Sequence, residues 1–122
     1  MAIIKSFTDI EQSKKLAEIL PLESADMKWF SWKQESDSPL VPTFGYDKET
    51  AEFYKDTKAV YLPCWSLTAL LSVLPDYTLQ TNTDGTVFVV CDSKKPMISD
   101  SFSNPVDACV TMIEKLHELN LL

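Results

Sequence analysis

This sequence has no arginine, one histidine and two glycines in 122 residues. Each shortage removes a class of chemistry. Without arginine there is no planar fork for bidentate contacts to guanine or phosphate. All 11 basic residues are lysine, placed singly or as Lys14-Lys15 and Lys94-Lys95. Set against 18 acidic residues, they leave a net charge of -7. Non-specific affinity for nucleic acid comes mainly from cations that neutralise phosphates, so direct nucleic-acid binding is not expected. No basic membrane-binding face is found either. Two glycines are too few for a loop of successive amides around a phosphate, and no Gly-x-Ser-x-Gly or calcium-loop pattern occurs.

Long apolar runs are also missing. No stretch approaches the roughly 18 residues that a membrane-spanning helix needs. The run Met1 to Ile4 lacks the basic leader, length and cleavage site of a secretory signal. The three cysteines, Cys64, Cys91 and Cys109, are far apart, odd in number and set among apolar neighbours. Buried thiols in a reducing cytoplasm are the expectation, in place of a disulfide framework.

What is present is an apolar fraction of 45% and a charged fraction of 24%. One domain over residues 1–122 is expected, with enough chain for a sizeable core. A helix is expected over Thr8 to Leu20, with Thr8 and Glu11 at capping-box spacing and Pro21 as its stop. Asp26 to Gln34 is dense in aromatics and reads as a strand. Alternation puts Met27 and Trp29 on one face and Phe30 and Trp32 on the other. Residues 35–59 read as a long loop with a helical turn near Glu49 to Tyr54. Ser66 caps a short helix that Pro75 closes, with Leu67, Leu70, Leu71 and Leu74 in one stripe. Tyr77 to Thr81 and Thr86 to Cys91 form a hairpin about the Asp84-Gly85 turn. Met97 to Asp100 adds a short strand after a turn at Ser93 to Pro96. Asn104 and Pro105 open the last helix, with Val106, Cys109, Val110, Ile113 and Leu116 on its apolar face. Leu119, Leu121 and Leu122 are expected to pack against the core. The order implies a two-layer α+β fold, with an antiparallel sheet of about three or four strands packed against three helices.

Few residue sets carry chemistry. His117 follows Glu114 by three residues, a spacing used in di-iron helical bundles. No second such pair exists, so no metal is expected, and a place near a helix C-terminus explains this histidine. Cys64 precedes a helix N-terminus, where a thiol pKa can fall. It has no second cysteine at redox spacing, so a packed turn is the simpler reading. Cys91 and Cys109 read as core residues. Acidic pairs such as Asp9/Glu11, Glu23/Asp26, Asp47/Glu49, Glu52/Asp56 and Asp84/Asp92 are loosely spaced. A glycoside hydrolase needs two carboxylates fixed across a sugar ring, and Trp29, Trp32, Tyr46 and Tyr61 are available to line its groove. Solvated acids and core aromatics account for the same residues. No cofactor is expected. The crowding of Trp29, Phe30 and Trp32 on one strand is the remaining signal, because aromatics anchor protein interfaces and an edge strand can pair with a second copy.

Three segments together resemble a known group. They are Leu20-Pro-Leu-Glu-Ser-Ala-Asp-Met27 running into Lys28-Trp29, the stretch from Pro63-Cys-Trp-Ser66 to Pro75, and Asn104-Pro-Val-Asp-Ala-Cys109 with Leu116-His-Glu-Leu119. The chain is similar in these to small uncharacterised proteins of gut Bacteroides-type bacteria and of their phages or mobile elements. The resemblance spans most of the chain except 35–59. It implies a cytoplasmic protein, a phage or mobile-element origin, and no transferable catalytic residues.

Three functions compete. The first is a small non-enzymatic protein-interaction module, dimeric in its simplest form, that uses Trp29, Phe30 and Trp32. The second is a small hydrolase with paired carboxylates near the 35–59 loop. The third is an acidic mimic of nucleic acid, which requires one continuous acidic face. The first asks least of the sequence.

Overall fold

The computed structural model describes residues 5–32, 41–92 and 96–122, with Trp32 and Val41 described in their backbone only. The elements in order are α1 (Ile10–Ile19), a 3-10 turn (Leu22–Ser24), β1 (Met27–Trp32), β2 (Val41–Phe44), α2 (Lys48–Tyr54), β3 (Ala59–Cys64), α3 (Leu67–Val73), β4 (Tyr77–Thr81), β5 (Val87–Asp92), β6 (Pro96–Ile98) and α4 (Pro105–Glu118). The fold is α+β with antiparallel strands throughout. Its strands are divided between two three-stranded sheets, in the orders β2-β1-β3 and β4-β5-β6.

The second half follows its local signals. Ser66 accepts from the Ala69 amide at the start of α3, and Asn104 accepts from the Asp107 amide at the start of α4. Gly85 supplies the left-handed residue of the β4–β5 turn at φ +90. The apolar stripe of α4 is buried along Val106, Cys109, Val110, Ile113 and Leu116. It meets Val89 and Cys91 of β5, Leu70 of α3, Leu16 of α1 and the fully buried Trp65 in one cluster. The C-terminus of α4 is tied back on itself. Asn120 takes a left-handed conformation at φ 56, and the Leu121 and Asn120 amides donate to Leu116 and His117. This is a Schellman closure, with Leu121 packed against the core cluster that contains Leu116. Leu121 therefore packs as expected, whereas Leu119 and Leu122 face solvent.

Three local expectations change. The capping box of α1 is Asp9 with Gln12, one residue later than Thr8 with Glu11. Thr8 is engaged elsewhere, because its buried hydroxyl accepts from the Trp65 amide at 3.1 Å and bonds Ser13 at 2.8 Å. The 35–59 loop is interrupted by β2 and α2, with the expected helical turn extended to Lys48–Tyr54 and capped by Asp47. Ala59–Cys64, which begins at the last residue of that loop and otherwise had no expected element, is strand β3. A proline cannot donate to a ladder and is confined to sheet edges. Pro42 and Pro63 sit in β2 and β3, which are the two edges of their sheet. The rest of that loop's N-terminal part and the Ser93 to Lys95 turn lie outside the described residues.

Candidate interaction surface

The first sheet has one closed face and one aromatic face. Register pairs Met27 with Cys64 and Trp29 with Leu62. These side chains form a cluster with Phe7 and Ile10. Trp29 is only 8% exposed. Its indole donates to the Thr8 carbonyl at 3.2 Å, and Phe7 stands edge-on to it at 5.8 Å. Of the three aromatics on this strand, Trp29 thus belongs to the core. Phe30 is half-buried on the opposite face, opposite Tyr61 in register. Trp32 pairs by its backbone with Ala59, and its side chain lies outside the described part.

Around Phe30 the rings gather from three elements. Tyr54 of α2 lies 5.2 Å from Phe30 and stacks on Tyr61 at 5.7 Å. Tyr46 reaches Tyr61 at 5.4 Å, and Phe53 meets Tyr54 edge-on at 5.1 Å. The Lys28 ammonium lies 5.8 Å from the centre of the Tyr61 ring, a cation–π distance. The Tyr61 hydroxyl accepts from the Asp47 amide at 3.1 Å, which ties the start of α2 to β3. Burial, with smaller help from Tyr61 and Asp47, raises the Tyr46 phenol pKa, so this ring remains neutral. The face ends in the ring of Phe53, which is 73% exposed. Phe44, at the end of edge strand β2, is 77% exposed, but its pairing with Met27 puts it on the other face of the sheet, beside Phe7 and Met27. Sequence reading placed Trp29 in this surface and left out Tyr54 and Phe53. The run Val60-Tyr61-Leu62 was the available signal for β3, and β3 is what brings Tyr61 opposite Phe30.

The acids serve the backbone. Asp9, Asp26, Asp47 and Asp84 accept from the amides of Gln12, Ser66, Thr50 and Thr86 respectively. Glu52 is exposed beside Lys55 at 3.4 Å. Among the described residues, the groove between α1, α2 and β3 has no carboxylate in its lining, and the one between α2 and Tyr46 has Glu52 alone. Among the described residues, neither groove beside the 35–59 segment brings two carboxylates together. Glu114 and His117 line a shallow depression with Lys15, Glu18 and Glu118. Among the described residues no group of three His, Cys, Asp or Glu side chains is arranged to hold a metal ion.

The thiols are inert by placement. All three cysteines are free and buried. Burial raises the Cys64 pKa against hydrogen bonds from Thr8 and Ser13, opposite to the lowering that its position before α3 suggested. Burial and then Cys91 push Cys109 up to about 12. A nucleophilic cysteine needs the thiolate, and these sites oppose it.

No family model matches this chain, and no curated protein and no solved structure gives a significant match. Among the described residues no helix is long and apolar enough to cross a membrane.

Proposed function

We propose that this chain is a small protein-interaction module with no catalytic chemistry of its own. The observation that supports it is the aromatic face of the first sheet, where Phe30, Tyr54 and Tyr61 back the exposed ring of Phe53. Rigid, clustered aromatics are the side chains that dominate binding energy at protein interfaces. β2 is an edge strand, and an edge strand can pair with a second copy. Self-association is the simplest form of this function. A net charge of -7 without arginine favours a protein over a nucleic-acid partner. Three reduced, buried thiols suit a cytoplasmic setting.

The test combines sedimentation across a wide concentration range with photo-crosslinking from position 53 in extract of the source organism. The expected result is self-association or a protein cross-link that unlabelled chain competes away. Phe53→Ser should weaken either by about tenfold, the scale of a moderate hot spot, with an unchanged circular dichroism spectrum. A strict monomer that also gives no competable cross-link overturns the proposal.

A further inference from the structure

The edge of the first sheet opposite β2 has its own chemistry. The Gly45 amide donates to the Asp26 carbonyl at 2.8 Å, one step beyond the Met27–Phe44 pair. Hydrogen-bonded and non-bonded pairs alternate along an antiparallel ladder. Asp26, Lys28 and Phe30 therefore direct their backbone groups to β2, and Met27, Trp29 and Ser31 direct theirs to β3. On β3 the partners of that second set are Cys64, Leu62 and Val60. Ala59, Tyr61 and Pro63 consequently point their backbone groups away from the sheet. The Ala59 amide already donates to Thr57 Oγ1 at 3.1 Å, and Pro63 has no amide hydrogen. Tyr61 remains as the one outward amide of β3, with no partner among the described residues.

This edge lies in a groove of about 350 Å³ between α1 and α2, floored by Val60, Tyr61 and Leu62 and flanked by Tyr54. Among the described residues its charged lining is Lys14 and Lys55, with no acid. In a chain whose acids outnumber its lysines 18 to 11, a groove framed by two lysines is a local reversal of sign. Lys14 is exposed, and Lys55 meets Glu52 only in an exposed pair at 3.4 Å, an arrangement that contributes little and exchanges readily.

We propose that the free edge of β3 docks an extended acidic peptide, which adds to the sheet through the Tyr61 backbone between Lys14 and Lys55. The proposal rests on the interaction-module reading and names a partner class for it. Strand addition supplies main-chain hydrogen bonds, and flanking pockets supply selectivity. Here the guarding of Ala59 and Pro63 limits the match to a short register centred on Tyr61. The lysines favour carboxylates on either side of an apolar residue, and the contact should weaken as salt rises.

The test is a nuclear magnetic resonance titration of the full chain with a short peptide alternating glutamate and valine. Controls are the lysine–valine peptide and the same acidic peptide N-methylated at alternate residues. The expected result is a shift of the Tyr61 amide and slowed hydrogen exchange there with the acidic peptide alone. The variant carrying Lys14→Glu and Lys55→Glu should bind about tenfold more weakly, the scale of two partly exposed charge contacts. Both lysines are on the surface, so the variant's spectrum should otherwise overlay that of the parent. Equal binding of acidic and basic peptides overturns the proposal, as does binding that survives N-methylation. A Tyr61 amide already protected in a self-associated chain also overturns it, because a second copy then fills the edge. Loss of cross-linking with Phe53→Ser while the Tyr61 amide ignores the acidic peptide refutes the edge site and leaves the broader reading intact.

Discussion

Thr8 shows how a buried hydroxyl outranks a capping motif. Its spacing to Glu11 is that of a capping box, yet Asp9 caps α1 and Thr8 is withdrawn into the core. There its Oγ1 accepts from the Trp65 amide and joins Ser13, while its carbonyl accepts from the Trp29 indole. The reason lies about 57 residues away in sequence, at an amide that would otherwise be buried without a partner. No local pattern could announce it. Thr8→Val keeps the shape and removes the acceptor. The expected loss is about 1–3 kcal/mol, the cost of leaving a buried donor unpaired. Ser13→Ala, which leaves the Trp65 amide satisfied, should cost less. Urea unfolding checks both, as a lowered midpoint with an unchanged slope. The same reasoning applies to Trp29, whose place in the core depends on Phe7 and Thr8, segments that the strand's own alternation does not include.

At the scale of elements, legibility tracks how local the determinants are. The hairpin β4–β5, the stripe of α3 and the capped start of α4 rest on neighbours within a few residues, and they occur where periodicity and turn chemistry place them. β2 and β3 do not. Each contains a proline that weakens its local signal, and each becomes a strand only because β1 lies between them. The aromatic face was therefore half legible: Phe30 is visible in the sequence, whereas Tyr61 and Tyr54 join it through a tertiary pairing. The start of α3 combines both kinds of determinant. Ser66 caps the Ala69 amide at 3.2 Å, and Asp26 accepts from both the Ser66 amide, at 2.9 Å, and its hydroxyl. Ser66→Ala should cost about 1 kcal/mol as a lost cap. Asp26→Ala should cost about 1.5–3 kcal/mol, since it removes a charged acceptor. Because the two side chains share one network, the double variant should lose less than the sum. A strictly additive double-mutant cycle in chemical denaturation would show that Asp26 acts on α3 independently of the Ser66 side chain.

At the scale of the molecule, one charge cluster joins the two ends of the chain. Lys5 contacts Asp107 of α4 at 2.8 Å and Asp9 at 3.0 Å, and Gln12 also donates to Asp107 at 2.8 Å. Burial works to raise the Asp107 pKa, but Lys5, Asn104 and Gln12 outweigh it and the value is lowered. Asp9 is lowered against the same opposing burial, by the Gln12 amide and Lys5. Burial works to lower Lys5, and its two aspartates outweigh that and raise it. The signs then fix the window. A depressed carboxyl stabilises the fold above its unfolded value, near 3.8, and that contribution disappears as pH falls through the folded value. A raised ammonium stabilises below its unfolded value, near 10.5, and its contribution disappears as pH rises through the folded value. The cluster is therefore complete between about pH 5 and pH 9. Falling pH also relieves the repulsion of the -7 charge as it nears the isoelectric point of about 4.5, so the net loss should appear below about pH 4. Asp107→Asn should lower stability by about 1–2 kcal/mol at neutral pH, the scale of a partly buried charged hydrogen bond, and should flatten the fall on the acid side. Thermal melts from pH 2 to pH 10 on both proteins check this. An acid limb equally steep in Asp107→Asn would move the source of the pH dependence to the surface acids and away from the cluster that closes the chain.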